Sequence, residues 1–181
     1  MAWFKRKDKG ILTPTEAKKE APDGLWYKTP KGKIIPDLAE EYSVSDDGRV
    51  YTFTIKENAI FQDGTSVSAD DIIFTITLTQ DPILKSPRRA SWDGVLIEKV
   101  DDRTVRFTLP QPYAPFIENT TIGILPKHLW EKIPVEQFPF SQLNIEPIGS
   151  GPFVITGIKH NSYGFPISYD FSAFKSYALG T

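Results

Sequence analysis

Residues 36–73 read PDLAEEYSVSDDGRVYTFTIKENAIFQDGTSVSADDII, and their pattern predicts a hairpin, a loop and a capped helix. A short strand that begins at Tyr42 is followed by the turn Asp46-Asp47-Gly48, in which Asp bonds to its own backbone and Gly accepts positive φ. From Val50 to Lys56 the apolar and polar residues alternate, which is typical of a half-buried strand. A second turn is predicted at Asp63-Gly64.

The segment that follows this turn is ambiguous on pattern alone. Residues 74–79, FTITLT, alternate as a strand would and are rich in β-branched side chains. Ser68 and Asp71, however, form a Ser-x-x-Asp capping pattern, and acidic residues in a first helical turn suit the positive end of the helix dipole. We therefore predict a helix that begins after Ser68 and stops at Asp81-Pro82, because the residue before a proline avoids helical geometry.

The elements predicted downstream are short and are separated by prolines. Two alternating runs at 95–100 and 104–109 flank an Asp-Asp-Arg turn and predict a second hairpin. The other predicted elements are a short helix at 113–118, a strand end at 122–126, a helical turn at 127–132, and strands at 153–155 and 167–171. With 15 Pro and 12 Gly in 181 residues, the chain is predicted to be a strand-rich α+β protein with short helices.

Charge divides the chain into two predicted parts. Residues 1–33 hold nine Lys and Arg against four Asp and Glu, whereas residues 34–181 hold twelve against nineteen. We interpret 1–33 as a charged tail or extended segment of different origin. The net charge of −2 argues against a nucleic-acid binder, and the lack of cysteine excludes disulfides and thiolate zinc sites.

Membrane and export signals are not recognisable in the sequence. Its apolar runs are shorter than the ~20 residues that cross a bilayer. The opening MAWFKRK is basic, but only Ile11 and Leu12 are apolar before Thr13-Pro14, so the apolar region of a secretory signal is not visible.

Seven short motifs, in a fixed order, carry a resemblance to one family. They are PDLA at 36–39, SDDG at 45–48, YTF at 51–53, FQDG at 61–64, ADD at 69–71, LPKHL at 125–129 and IGSGPF at 148–153. Together they resemble the extracellular solute-binding proteins of peptide and nickel ABC transporters, over roughly residues 31–181. The resemblance implies the N-terminal portion of a periplasmic-binding-protein type II fold, an α/β fold whose two lobes close on a ligand.

The same resemblance implies a role in transport. A member of this family binds a peptide or a related small solute in the periplasm or outside the cell and delivers it to an ABC transporter permease, without catalysis and without a cofactor. Residues 34–181 are then expected to form a partial solute-binding lobe that is incomplete at its C-terminus. Any membrane association would come through the partner or through an anchor outside this sequence.

Residues 1–33 resemble a different family, the carboxyltransferase β subunit of acetyl-CoA carboxylase. The resemblance lies in Trp3-Phe4-Lys5-Arg6 and in Gly24-Leu25-Trp26. In that family a four-cysteine zinc ribbon follows, and this sequence has no cysteine, so neither zinc binding nor carboxyl transfer carries over. A fragment of that subunit, or a structural or interaction domain without a ligand, stays open as an alternative to a solute receptor.

The candidate ligand-binding residues are Trp92, Arg89 and Arg88, in the loop PILKSPRRASWDG at 82–94. An exposed tryptophan offers a flat apolar face with one donor, and arginine can form a two-pronged clamp on a carboxylate, which suits a peptide ligand. In the family, a loop after this helix reaches toward the ligand cleft. The alternative is a tryptophan that packs in the core beside two solvated arginines.

No catalytic or metal-binding residue is predicted. Three acidic doublets, Asp46-Asp47, Asp70-Asp71 and Asp101-Asp102, lie in predicted turns or at the helix start, which explains them without acid–base chemistry. His128 and His160 stand apart in the sequence and belong to no metal-ligand motif.

Overall fold

The computed structural model describes residues 24–29 and 31–180, so the predicted tail up to residue 23 lies outside the described residues. The strands are β1 (Trp26–Lys28), β2 (Ile34–Pro36), β3 (Ala39–Val44), β4 (Val50–Ile55), β5 (Leu96–Lys99), β6 (Thr104–Thr108), β7 (Phe153–His160) and β8 (Pro166–Ala173). The α-helices are α1 (Ala69–Gln80), α2 (Phe116–Asn119) and α3 (Lys127–Trp130). Short 3₁₀ helices cover Arg89–Trp92, Val135–Phe140 and Gln142–Asn144.

The central sheet is antiparallel, with strand order β3-β4-β6-β5. Its register pairs Tyr51 with Phe107 and Phe53 with Val105, and all four side chains are buried on one face. The apolar side chains that alternate along β4 therefore stand directly beside those of β6 on the same face of the sheet. Both predicted hairpins, β3–β4 and β5–β6, are confirmed.

Helix α1 confirms the prediction made from its capping pattern. Asp71 Oδ2 accepts hydrogen bonds from Ser68 N at 2.9 Å and from Ser68 Oγ at 2.8 Å. Inside the helix, Thr75 Oγ1 donates to Asp71 O at 2.7 Å and Thr79 Oγ1 donates to Thr75 O at 2.8 Å. The buried threonine hydroxyls are thus satisfied by carbonyls one turn back, which lets a strand-like pattern fold as a helix.

The main core lies between α1 and the inner face of the central sheet. Phe53, Phe107, Ile72 and Ile76 are among its fully buried side chains. A smaller cluster forms where Leu78 meets α3 and the following 3₁₀ helix, around Trp130 and Phe138. Among residues 24–29 and 31–180, no helix has both the length and the apolar character needed to cross a bilayer.

The N-terminal hairpin, β1–β2, pairs residues on both sides of position 33, with Lys28 opposite Ile34 and Trp26 opposite Pro36. Leu25 and Trp26 are buried, and Leu25 O accepts hydrogen bonds from Asp37 N and Ala39 N, both at 3.1 Å. The part of the predicted tail that begins at Gly24 is therefore packed against the lobe.

One predicted element is wrong and two are longer than expected. Residues 122–126 form no strand, although Ile124 is buried, and Leu125 N donates to Thr75 Oγ1 of α1 at 2.9 Å where a strand would bond to a neighbouring backbone. The strands predicted at 153–155 and 167–171 are confirmed and extend into β7 and β8, which pair only with each other within the described residues.

Candidate functional site

The C-terminal half of the loop after α1 is held by Gln80, the last residue of that helix, through its side chain and its backbone oxygen. Gln80 Nε2 donates hydrogen bonds to Trp92 O and to Val95 O, both at 2.8 Å, and Gln80 O accepts a hydrogen bond from Arg89 Nε at 3.1 Å. Asn119, at the end of α2, adds a bond from its Nδ2 to Ser91 O at 2.9 Å. Residues 89–95 are thus fixed to two helices, as a preorganised binding loop requires.

Trp92 is 1% exposed, so the sequence-based expectation of an exposed tryptophan is wrong. Its ring centroid lies 5.6 Å from that of Phe107 and 5.4 Å from that of Phe116. Long-range aromatic packing explains the burial, which the polar neighbours of Trp92 in the sequence concealed. Its Nε1 is buried and has no hydrogen-bond partner within the described residues.

Arg88 and Arg89 are both exposed. Arg89 uses its Nε on Gln80 O, which orients the guanidinium and leaves its terminal nitrogens on the surface. Arg88 N donates to Ser86 Oγ at 3.3 Å, which fixes the backbone and leaves the side chain pointing away from the core. The predicted ligand role of Trp92, Arg89 and Arg88 stays a prediction.

Two cavities flank the loop and share Ala90 and Asp93 in their walls. The first, of about 350 Å³, is lined by polar groups that include Ser91 and Asn119 and by the ring of Phe116. The second, of about 510 Å³, is lined by Lys85 and Arg89 together with Ser86, Pro82 and Pro87. Both are open to solvent, so either one alone would cover only part of a bound small molecule.

The second cavity carries two cations against one carboxylate, that of Asp93. Lys85 has φ 51°, the left-handed region, and is the one non-glycine residue with positive φ in the described part of the chain. Such a backbone costs on the order of 1 kcal/mol and is often found at binding sites. Lys85, Asp93, Gln80 and Asn119 could not be predicted from the sequence, because no local pattern indicates backbone strain or contacts between distant residues.

The acidic doublets have structural roles. In the turns, Asp47 accepts a hydrogen bond from Ser45 Oγ at 2.5 Å and Asp101 accepts one from Arg103 N at 2.8 Å. Asp71 caps α1, and its Oδ1 accepts a hydrogen bond from Lys127 N at 2.8 Å. The Ser45 hydrogen bond is the main cause that lowers the pKa of Asp47, and the Arg103 backbone does the same for Asp101. Asp70 pairs with Lys99 at 2.8 Å, and this hydrogen bond lowers its pKa.

The two histidines lie in different settings. His128 Nε2 is 2.8 Å from Asp63 Oδ2, which ties α3 to the turn at Asp63-Gly64, whereas His160 is exposed at the end of β7. In residues 24–29 and 31–180, no three His, Cys, Asp or Glu side chains are grouped as a metal site would need.

One buried carboxyl was not anticipated from the sequence. Asp37 is fully buried, and its Oδ1 accepts a hydrogen bond from Tyr177 OH at 2.9 Å. Lys56 Nζ donates to the backbone oxygen of Asp37. Burial raises the pKa of Asp37 to about 6, against the opposing effects of the Tyr177 hydrogen bond and the Lys56 charge. Its position in the PDLA motif gives no sign of this, because the partner lies 140 residues away.

A family model described as bacterial extracellular solute-binding proteins, family 5 Middle, matches residues 33–175. Protein XP55 from Streptomyces lividans is 37% identical over 137 residues, which cover 75% of this chain and 24% of that protein. The probable D,D-dipeptide-binding periplasmic protein DdpA from Escherichia coli is 36% identical over 137 residues, which cover 71% of this chain and 26% of that protein.

Solved structures of solute-binding proteins are also similar to this chain. The oligopeptide-binding protein AppA from Bacillus subtilis, in complex with a nonapeptide, superposes with a TM-score of 0.79 at 27% identity and covers 92% of this chain. NikZ from Campylobacter jejuni, in complex with Ni(L-His), superposes with a TM-score of 0.77 at 29% identity and covers 90% of this chain. This chain spans 33% of the AppA chain and 31% of the NikZ chain. It thus spans between a quarter and a third of these relatives.

A second likeness involves an unrelated protein. The acetyl-coenzyme A carboxylase carboxyl transferase subunit beta from Amoebophilus asiaticus is 71% identical over 51 residues. The matched part covers 26% of this chain and 18% of that subunit. Both resemblances that the sequence motifs indicated are therefore present, and the second is confined to a small part of each protein.

Proposed function

Because the chain belongs to the bacterial extracellular solute-binding proteins of family 5, we propose that it acts in solute capture for an ABC importer. In this role it binds a peptide or a related small solute in the periplasm or outside the cell, and the solute then passes to the importer's permease. The observation that carries the proposal is the family match over residues 33–175. The superposition on a peptide-binding protein over 92% of this chain supports it.

The loop at 82–94 is the proposed ligand contact. The exposed guanidinium groups of Arg88 and Arg89 bind a carboxylate of the solute, since arginine pairs with carboxylates through two parallel hydrogen bonds. Trp92 acts from beneath, because its buried ring packs against Phe107 and Phe116 and keeps the loop in place. The cavity walled by Lys85 and Arg89 accepts the anionic end of the solute.

Residues 34–181 supply one part of a two-lobed receptor in this proposal, and residues 1–33 are a segment of different origin. Affinity in such receptors comes from closing two lobes around the ligand. Since the relatives are three to four times as long as the part that matches, closure needs polypeptide beyond that part. We expect the 181-residue chain alone to bind peptides no more tightly than about 1 mM, which is about 4 kcal/mol.

A grafting experiment tests the proposal. Residues 24–180 replace the corresponding part of Bacillus subtilis AppA, and nonapeptide binding is measured by isothermal titration calorimetry for the chimera and for the 181-residue chain. We expect the chimera to bind and the chain alone to give no measurable heat. A folded chimera that binds no peptide would contradict the role of this part in solute capture, and tight binding by the chain alone would contradict the need for a second lobe.

The residue-level proposal has its own matched pair of variants. In the chimera, Arg89→Ala is expected to weaken binding about tenfold or more, because it removes a charge-assisted pair. Arg106→Ala is the control, since Arg106 is also exposed but lies on the outer face of the central sheet. Equal effects of the two variants would show that Arg89 acts only through net charge. A carboxyl-transfer assay on the full chain tests the alternative of a carboxyltransferase fragment, and we expect no activity.

A further inference from the structure

Asp-Gly pairs are chemically reactive, and the sequence has four of them, at 23–24, 47–48, 63–64 and 93–94. The glycine nitrogen can attack the side-chain carboxyl of the aspartate, because glycine has no side chain to shield that nitrogen and its backbone bends freely. Asp23 of the first pair lies outside the described residues, and the other three pairs lie in turns. These three differ in whether the two reacting groups are already hydrogen-bonded.

In the turns at 47–48 and 63–64 the glycine comes last, and its nitrogen makes the hydrogen bond that closes the turn. Gly48 N donates to Ser45 O at 2.8 Å, and Gly64 N donates to Phe61 O at 2.9 Å. In a β-turn this bond joins the fourth residue to the carbonyl of the first. Both glycine nitrogens are therefore engaged, and an attack by either one would first break its turn.

The aspartates of these two turns are also held. Asp47 accepts hydrogen bonds from Arg49 N at 3.2 Å and from Arg49 Nε at 3.1 Å. Asp63 accepts hydrogen bonds from Thr65 N at 3.0 Å and from Thr65 Oγ1 at 2.6 Å, and its Oδ2 lies 2.8 Å from His128 Nε2. In both turns, then, the carboxylate and the nitrogen that would attack it are each fixed by other partners.

The pair at 93–94 lies in the middle of its turn instead. Trp92 O accepts the closing hydrogen bond from Val95 N at 3.2 Å. Asp93 has φ −64° and ψ 127°, and Gly94 has φ 70°, which are the angles of a type II turn, where the third residue's nitrogen is not used. Within the described residues, Gly94 N donates no hydrogen bond and the Asp93 carboxylate has neither a hydrogen bond nor an ion pair. Both residues are exposed, so the two reacting groups are free.

We propose that Asp93 is a modification site, at which Gly94 N attacks the aspartate side chain and an isoaspartate forms without an enzyme. A bond forms between Gly94 N and Asp93 Cγ, and the amide proton leaves with the hydroxyl of the protonated carboxyl as water. Water then opens the resulting five-membered succinimide at its other carbonyl. The main chain afterwards runs through Cβ and Cγ of residue 93, and the former backbone carbonyl becomes a side-chain carboxylate. One water is lost and one is regained, so the mass is unchanged and no other reactant is needed.

The isoaspartate adds one carbon atom to the backbone inside the segment that Gln80 holds. Gln80 Nε2 donates to the carbonyls of Trp92 and Val95, which flank the pair, both at 2.8 Å. A longer chain between these two carbonyls changes their separation, and hydrogen bonds weaken steeply away from their preferred geometry. The modification is therefore expected to loosen the loop at 89–95. The inference does not depend on solute capture, because the reaction and its consequence both belong to the turn.

Prolonged incubation of the 181-residue chain near neutral pH, followed by trypsin digestion and mass spectrometry, tests the proposal. Trypsin places the three pairs on separate peptides, 34–49, 57–85 and 90–99, and an isoaspartyl peptide shifts in chromatography at unchanged mass. The same incubation in guanidinium chloride gives the rate of each pair without its turn. We expect the ratio of the native to the denatured rate to be at least ~10-fold higher at Asp93 than at Asp47 or Asp63, since hydrogen bonds of about 1 kcal/mol each restrain only the latter two.

Asp93→Glu is the matched control, because its side chain is one carbon longer and would have to close a six-membered ring. It is expected to abolish the modification of peptide 90–99 and to leave the other two peptides as in the wild type. Amide exchange in residues 89–95 is expected to be about tenfold faster in the incubated wild type than in the incubated Asp93→Glu variant, because two bonds to that loop are weakened. Equal ratios at the three pairs, no isoaspartate at residue 93 in the folded chain, or unchanged amide exchange after modification would each overturn the proposal.

Discussion

Replacing Asp37 with Asn is expected to remove a defined part of the pH dependence of folding stability. The Asp37 carboxyl is fully buried, with Oδ1 bonded to Tyr177 OH at 2.9 Å and Oδ2 without a partner within the described residues. Burial raises its pKa from 3.8 to about 6, and three smaller effects oppose the rise: the Tyr177 hydrogen bond, the Lys56 charge and the Gly24 backbone. Within the described residues, these are the groups that set its ionisation.

The sign follows from proton linkage. A carboxyl with a raised pKa in the folded state holds its proton more tightly there, so its contribution to stability is fully present below the unfolded pKa and is lost as the pH rises through 6. A shift of roughly two pKa units corresponds to about 3 kcal/mol, of which about 2 kcal/mol is lost between about pH 4.5 and about pH 7.5. Asn cannot ionise, so the Asp37→Asn variant lacks this loss.

Urea unfolding of the wild type and of Asp37→Asn is measured at both pH values. For each protein the free energy of unfolding at the higher pH is subtracted from that at the lower pH, and the difference between the two results is the double difference. The carboxylates with lowered pKa, such as Asp47 and Asp70, gain stability with rising pH in both proteins, and their effect cancels. Tyr177→Phe is the companion variant, since loss of its hydrogen bond is expected to raise the Asp37 pKa further and to extend the loss to higher pH. A double difference below about 0.5 kcal/mol, or one of opposite sign, would refute the reasoning.

Three further predictions concern the packing of the lobe. Gly24→Ala should lower the free energy of unfolding by about 1–3 kcal/mol, because the new Cβ would lie 2.7 Å from Ile122 O; an unchanged urea midpoint would show that the segment is not docked. Asp71→Ala should lower the free energy of unfolding by about 2 kcal/mol or more, because three hydrogen bonds are lost. Asp70→Ala loses only an exposed ion pair and should lower it by less than about 1 kcal/mol. Similar losses in the two variants would contradict the role given to Asp71 at the start of α1. Gln80→Met should speed amide exchange in residues 89–95 by about tenfold relative to the wild type, since two bonds to that loop are lost, while Gln142→Met serves as an exposed control without a role in the loop.

Local chemistry was sufficient to predict much of the lobe. The turn at 46–48 and the alternation in β4 required no distant contact, and both are present in the structure. In α1, the capping interaction of Ser68 with Asp71 outweighs the strand-like pattern of residues 74–79, and the hydroxyls of Thr75 and Thr79 bond within the helix. A pattern of two-residue period is therefore compatible with a helix where the polar positions are threonines and the N-terminus is capped.

The candidate site was less predictable, because its geometry depends on contacts between distant residues. Trp92 has polar neighbours in the sequence, yet Phe107 and Phe116 enclose its ring, so its exposure could not be judged locally. The loop position depends on Gln80, whose role only its bonds to Trp92 O and Val95 O show. Arg88 and Arg89 were recognised by residue type alone, and the structure adds that Arg89 is oriented by Gln80 O.

The predicted boundary at residue 33 lies in the turn of a hairpin, and this changes how the two resemblances relate to each other. β1 belongs to the segment that resembles a carboxyltransferase, and β2 opens the segment that matches solute-binding proteins, yet the two strands pair over Trp26–Lys28 and Ile34–Pro36. Leu25 and Trp26 are buried in the main core, and Leu25 O is bonded to Asp37 N and Ala39 N. A strand in this position needs only backbone partners and two apolar side chains, so the packing of β1 does not depend on where the segment came from. Removal of residues 24–28 would expose the core around Leu38, so the described residues on the two sides of position 33 form one folding unit.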